Sequence, residues 1–463
     1  MSLLDRIQSI FKKIRPGIIL MIPVFLGCET SEDLGIEYDL DSNANVKFIE
    51  FTLPSTNIYV DSLRTDGENR VIVGNYHDDI GGEIATEGYF QFSYEGGPLS
   101  RAVSTDNEPD PVDTLHLDSI VLLLETQATV PFTGTINQDL KVFTLTDSLI
   151  SSAIYLSSLQ LERDEEISSF TREVNVVLDT IYRFRLSNSF SSDLFNLIGE
   201  ITEDPDQSVS TSTFKSLGLI SSDDSEGFVS FDLASDTSKI YIYSSPIELS
   251  SGQKDTTYVT SFRLTNKNYS YINRNNATFG SLEDGAEINL LDGNTIIDPL
   301  FGISTKISLA ELVPFFDENN RIIINNAILS FIHKNQTERD TLENFYSFYY
   351  KNGSFNGSGL ITDPFSSLVM SDNAFLGGQS LPAISALNED KDELITSTTL
   401  FFQTLYTDYI EDSETSDLLI RDESSDVVSL VDLITLSSLD VSLQRSIFGP
   451  DDISLRIYYT EVN

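Results

Sequence analysis

The sequence predicts an all-β protein with two tandem β-sandwich domains behind an N-terminal export segment. Three observations predict it. Apolar runs are short, rich in Val, Ile, Tyr, Phe and Thr, and separated by Asp, Asn, Gly and Ser, which is the chemistry of strands and turns. Many of these runs alternate with period two, so one face packs on a core and the other meets water. An order of strand types also recurs in the two halves of the chain.

The chain begins with a basic stretch holding Arg6, Lys12, Lys13 and Arg15, then the apolar run Gly17–Leu26. A helix crosses a bilayer with about 20 apolar residues. This run is too short for that, and Pro23 removes a helical hydrogen bond within it. Residues 1–27 therefore read as a cleaved signal peptide. Phe25-Leu26-Gly27-Cys28 follows, and Cys28 is the only cysteine of the protein. A lone exported cysteine has no disulfide partner. The segment resembles the lipobox of bacterial lipoproteins, departing from it in Phe25 and in the long n-region. The resemblance implies that Cys28 becomes the lipidated first residue, and two or more acyl chains hold a protein stably on a membrane. Glu29, Thr30, Ser31, Glu32 and Asp33 come next. They resemble the acidic export tag of Bacteroidota lipoproteins, which implies exposure on the outer face of the outer membrane. Residues 28–45 are expected to be a flexible tether.

From Val46 the pattern is β. Lys47–Phe51, Tyr89–Phe92, Lys141–Leu145, Val229–Leu233 and Lys239–Tyr243 all alternate. Helices are expected over Ser191–Ile201, Leu309–Phe316 and Asp417–Leu436. The first half contains EGYFQFSYEG (Glu87–Gly96), the long apolar LHLDSIVLLLE (Leu115–Glu125), LKVFTL (Leu140–Leu145) and the closing SKIYIYS (Ser238–Ser244). The second contains ISTKISLAEL (Ile303–Leu312), RIIINNAILSFIHK (Arg321–Lys334), FYSFYYK (Phe345–Lys351) and the closing SLRIYYT (Ser454–Thr460). The apolar residues vanish at Ser250–Asp255. The expected division is thus 46–250 for the first sandwich and 251–463 for the second.

Composition narrows the function. The chain has 463 residues and a net charge of −44. Removing residues 1–27 takes away four basic groups and one acidic group, leaving 24 against 71, or −47. Nucleic-acid binders carry basic patches, so a nucleic-acid partner is not expected. A hydrophobic fraction of 40% is ample for folded cores.

The segment Asp61-Ser62-Leu63, Val73–Asp79, Gly81-Gly82, Ala85 and Tyr89–Phe92 resembles the opening of a Bacteroidota lipoprotein family known as a domain of unknown function. Leu217–Ile220, Gly227–Phe231 and Ile323–Leu329 fit its later parts. The order of pieces is also similar to jelly-roll modules of bacterial surface proteins, some of which bind polysaccharide. The resemblance implies a jelly-roll-like pair of sandwiches and carries over no catalytic residue.

Chemistry is sparse. His77, His116 and His333 lie far apart and read as strand residues. There is no H-E-x-x-H, G-x-S-x-G, P-loop or dinucleotide glycine pattern. With one cysteine, a structural zinc site lacks ligands, so no metal and no cofactor beyond the lipid are expected. Three acidic loops are candidate calcium ligands: Asp106–Asp113, Asp223–Glu226 and Glu389–Glu393. The triplet Asp-Ser/Thr followed by an apolar residue or Thr places hydroxyls at Ser62, Thr114, Ser119, Ser148, Thr180, Thr256 and Thr341. These resemble O-glycosylation acceptors of Bacteroidota exported proteins. The expected function is a non-enzymatic, surface-exposed outer-membrane lipoprotein. It would be a binding or scaffold subunit, with a β-barrel outer-membrane complex as partner. A polysaccharide-binding lipoprotein is the second reading, and a carbohydrate-active enzyme the third.

Overall fold

The computed structural model describes residues 46–462 apart from 95–114, 204–213, 247–257, 335–345, 351–385, 389–392, 413–417, 422–427, 438–442 and a few single or paired positions. Residues 47–463 form one compact unit. It is an all-β fold of two sandwich-like lobes.

The chain enters through β1 (Val46–Thr52) and β2 (Ser55–Tyr59). It continues with β3 (Arg70–Asp78), β4 (Gly82–Tyr94), β5 (Leu115–Val130), β6 (Thr135–Leu145), β7 (Arg163–Asn175) and β8 (Ile181–Arg185). Helix α1 (Asn188–Glu203) precedes β9 (Leu217–Ser221), β10 (Gly227–Asp232), β11 (Lys239–Pro246) and β12 (Tyr258–Asn273). Then come β13 (Glu287–Ile288), β14 (Thr295–Ile297), β15 (Ile303–Ile307), the short helix α2 (Val313–Glu318), β16 (Ile322–His333), β17 (Tyr346–Tyr350), β18 (Ala386–Asn388) and β19 (Glu393–Ser397). Helix α3 (Thr399–Ile410) leads to β20 (Leu419–Arg421), β21 (Val428–Leu430), β22 (Leu433–Ser437) and the long β23 (Ser446–Glu461).

In the first lobe the pairings β12–β11–β5–β10–β3–β4 return to β12, and β9, β6 and β7 extend the sheet from β4. Strand β8 joins β5. Beside the two-stranded β20–β21, the second lobe has two larger sheets, β1–β23–β16–β19–β18 with β14 on β23, and β13–β2–β15–β22–β17. Between them lies a core of Ile307, Leu312, Phe316, Leu329, Phe331, Phe402, Leu433, Leu455 and their neighbours.

Strands β3 and β10 explain how the lobes join. Val71, Val73, Val229 and Phe231 face the core of the first lobe. Ile72 and Phe228, one step along, face a second core with Tyr59, Ile296, Leu300, Phe301, Ile303 and Ile447 from the other lobe. Successive strand residues point to opposite faces, so these two strands are buried on both. The alternation in Val229–Leu233 therefore does not mark a wet face: Ser230 is buried as well. Gly74 lies opposite Phe228 and Gly227 opposite Asn75 in the β3–β10 register, so the two glycines are diagonal neighbours. A Cβ on Gly74 would lie 2.0 Å from the Gly227 carbonyl oxygen, and both glycines have positive φ. Only glycine permits that approach.

The apolar seam also holds paired charge. Arg445 donates from Nη1 to both oxygens of Asp78, at 3.0 and 3.1 Å, with side chains 4% and 6% exposed. Asp78 also accepts from the backbone of Ile80 and Gly81. Arg274, buried, donates to the carbonyls of Leu300, Pro299 and Asp61.

Strand pairing departs from the expected division at residue 250. Strand β12, beyond it, pairs with β11 and β4 of the first lobe. Strands β1 and β2, at the start of the chain, belong to the second lobe, beside β23 and with β15. The recurring strand order is realised in one respect. In each lobe the long apolar strand pairs antiparallel with the tyrosine-bearing closing strand, β5 with β11 and β16 with β23.

Of the expected helices, Ser191–Ile201 lies within α1 and Leu309–Phe316 spans a 3-10 turn and most of α2. No described residue of Asp417–Leu436 is helical: they include β20, β21 and most of β22. Val428, Ile434 and Thr435 are β-branched, and branching at Cβ restricts the side chain in a helix and suits a strand. Helix α3 was not expected, because Thr399–Ile410 is rich in aromatic and β-branched residues. It forms because Phe401, Phe402, Leu405 and Tyr406 fall on one buried stripe, where burial overrides intrinsic preference.

Candidate binding face

Strand β5 organises the exposed face of the first lobe. Its residues 120–122 and 124 are buried, while Ser119 and Leu123 are half-buried. It carries β11 along Leu115–Leu123 and β8 along Val121–Glu125. The inward residues of these strands are apolar: Tyr182 and Phe184 on β8, Ile240 and Ile242 on β11, Phe262 and Leu264 on β12.

The alternate residues build the opposite face. Register places Arg183, Leu123, Lys239 and Arg263 in one row across β8, β5, β11 and β12. The next row is Arg185, Val121, Tyr241 and Ser261, followed by Ser119, Tyr243 and Val259. Neighbouring strands lie about 4.8 Å apart. Arg183, Arg185 and Arg263 are exposed and make no ion pair among the described residues. In a chain of −44, this face concentrates positive charge. Acidic groups lie at its margins and are engaged: Asp118 accepts from Ser245 at 2.9 Å, and Glu125 accepts from Ser235.

The face runs into a cleft of about 820 Å³ beside α1. Leu194, Phe195 and Ile198 pin that helix to the first-lobe core, at the spacing of a helical stripe. Its N-terminal half then presents Asn188 and Ser192 opposite His116, Asp118, Ser119 and Arg185. Ser119 and Arg185 belong to both cleft and face. Hydroxyl, amide, imidazole, guanidinium and carboxylate groups converge there, suited to a polar, hydroxyl-bearing ligand.

The sequence-predicted residues fall as follows. Cys28, Glu29, Ser31, Glu32, Asp33, Ser62, Thr114, Thr256, Thr341 and the loop Asp106–Asp113 lie outside the described residues. Ser119 is half-buried on β5 in the cleft. Ser148 is half-buried and donates to the Phe214 carbonyl at 3.2 Å. Thr180 is exposed in the turn before β8, while Asp179 beside it binds Arg172 and the Asn175 amide. In the loop Asp223–Glu226, Ser225 and Glu226 bond to Asp139 and Asn137 of β6. Of Glu389–Glu393 the structure describes Glu393, which is buried and accepts from Arg456 at 2.6 Å. Among the described residues no group of three or more His, Cys, Asp or Glu side chains could hold a metal ion. His77 lies exposed on β3 opposite Glu83, and His333 sits at the end of β16 with its ring 6.4 Å from that of Phe448.

No protein-family model matches the chain, and no curated protein does. Among solved structures, the N-terminal CBM22-1-CBM22-2 tandem domain from Paenibacillus barcinonensis Xyn10C aligns with 90% of this chain and 92% of its own, at 9% identity and a TM-score of 0.12. A likeness of that size carries no argument about fold or function.

Proposed function

We propose that this chain is a non-enzymatic outer-membrane lipoprotein, tethered through Cys28 and facing the medium, that serves as a binding or scaffold subunit of an outer-membrane protein complex. The observation that supports a binding role best is the face of β8, β5, β11 and β12. Three guanidiniums there stand exposed and make no ion pair among the described residues, in a strongly acidic chain. The signal segment and the acidic residues after Cys28 support the anchor and its outward direction.

The test is cellular. Cys28→Ser moves the protein from the membrane fraction to the soluble fraction with its β-rich circular dichroism unchanged. If the variant stays membrane-bound, the lipid anchor is wrong. Detergent pull-down of the wild-type protein recovers a β-barrel partner at constant stoichiometry, and recovery of the protein alone contradicts the scaffold role. Proteolysis of intact cells degrades an outward-facing chain and spares one that faces the periplasm.

The cleft beside α1 favours a second reading, a polysaccharide-binding lipoprotein. Its lining of hydroxyl, amide and guanidinium groups matches the donors and acceptors of a sugar chain.

A further inference from the structure

We propose that the face of β8, β5, β11 and β12 binds an acidic polysaccharide, one bearing carboxylate or sulfate groups. The chain lies over Tyr241 and Tyr243, its anionic groups meet Arg183, Arg185 and Arg263, and its end enters the cleft beside α1. This rests on the polysaccharide-binding reading and names the class of sugar.

Three observations carry it. The first is charge. Arg183, Lys239 and Arg263 share one register row, and Arg185 lies in the next. The three arginines have no ion pair among the described residues. Guanidinium is a planar fork that binds carboxylate or sulfate oxygens through two parallel hydrogen bonds. A protein of net charge −44 repels polyanions in general, so exposed cations concentrated on one sheet face are a local exception to its field.

The second observation is shape. Neighbouring strands lie about 4.8 Å apart, so the row across β8, β5, β11 and β12 sets Arg183 and Arg263 along a line with Lys239 between them. Tyr241 and Tyr243 stand two residues apart on β11 and point to the same side as the cations. Both are half-buried, with ring area left for the apolar face of a sugar. The third observation is continuity. Arg185 and Ser119 belong to this face and also line the cleft with Asn188, Ser192 and His116, and with Asp118, whose carboxylate accepts from Ser245. A partner needing both anion recognition and many hydroxyl contacts fits this combination. An acidic peptide uses the cations and leaves the hydroxyl-lined cleft unexplained. An anionic membrane does the same.

The experiment compares one sugar chain with and without its charge. Full mature protein in detergent is run through affinity gels containing polygalacturonate or its fully methyl-esterified form, with poly-glutamate and anionic phospholipid vesicles as further probes. Retardation by polygalacturonate is expected, weakening as salt rises and lost in the esterified gel. Arg183→Glu/Arg263→Glu weakens that binding about tenfold or more, and Tyr241→Ala weakens it without changing the salt dependence. Thermal unfolding and circular dichroism show that each variant folds. Equal retardation by both gels overturns the acidic class and keeps the polysaccharide reading. Retardation by neither overturns both. Binding to poly-glutamate or vesicles as tight as to polygalacturonate overturns the sugar and assigns the face to a protein or a membrane.

Discussion

At the scale of single residues, the seam between the lobes is the place where one change matters most. Arg445 and Asp78 are almost wholly buried and joined by two hydrogen bonds. Removing one partner leaves the other charge in an apolar setting, which costs about 3–5 kcal/mol. Arg445→Met should therefore lower the free energy of unfolding by about that amount, measured as a shift of the urea midpoint by circular dichroism. Arg445→Met/Asp78→Leu, which removes both charges, should recover part of the loss even though Asp78 also caps the Ile80 and Gly81 amides. A single variant as stable as the wild type would show that water reaches the pair. A surface pair behaves differently. Lys141 and Glu166, 3.4 Å apart and each about 40% exposed, belong to the class of exposed ion pairs worth about 0–1 kcal/mol. Neither buried charge was legible in the sequence, because Asp78 and Arg445 are 367 positions apart and look like any other surface charge in a chain with 72 acidic residues.

At the scale of elements, helix α3 and strand β16 show how a strand edge is satisfied without another strand. Strand β19 pairs with β16 along Ile328–Ile332. Beyond that, α3 takes over. The backbone amides of Ile322, Ile324 and Ala327 donate to Tyr406 Oη, Gln403 Oε1 and Thr399 Oγ1, at 3.0, 2.7 and 3.1 Å. Positions 399, 403 and 406 lie on one side of a helix, so a helical ladder of side chains replaces a strand's carbonyls. Gln403→Leu leaves the Ile324 amide without its acceptor, a loss of about 1–3 kcal/mol. The check is hydrogen exchange: protection of the Ile324 amide should fall while that of Leu329, which faces β19, is kept. Equal protection at both positions would mean that the helix merely packs there. The same pair explains what the sequence hid. Strand identity was legible where the pattern is local, as in Lys141–Leu145 and Lys239–Tyr243. Helix α3 was not, because its polar stripe has meaning only beside β16. The cationic face was half-legible: Arg183 and Arg185 alternate on β8 in an acidic chain, but their meeting with Lys239 and Arg263 depends on the register of four strands.

At the scale of the whole molecule, the chain crosses between lobes at both ends of the first one. Strands β1 and β2 precede that lobe in sequence and lie in the sheets of the other. The contacts there are specific: Lys47 pairs with Glu461, Phe48 lies 5.0 Å from Tyr458 between ring centroids, and the Leu53 amide donates to the Ile453 carbonyl. Cutting at residue 250, where composition alone suggests a boundary, removes β12 from between β11 and β4 and strips β1 and β2 of their partners. Exposed strand edges of that kind invite association. A fragment of residues 46–250 should therefore aggregate, whereas residues 60–274 keep β3 through β12 together with the Arg274–Asp61 clamp and should fold, with the seam residues Ile72 and Phe228 bared. Because those residues are covered only when both lobes are formed, the intact protein should unfold in one cooperative urea transition, and residues 60–274 should unfold at lower urea. A soluble 46–250 fragment with a sharp transition, or two separated transitions in the intact chain, would show that the lobes are independent and that the shared core contributes little.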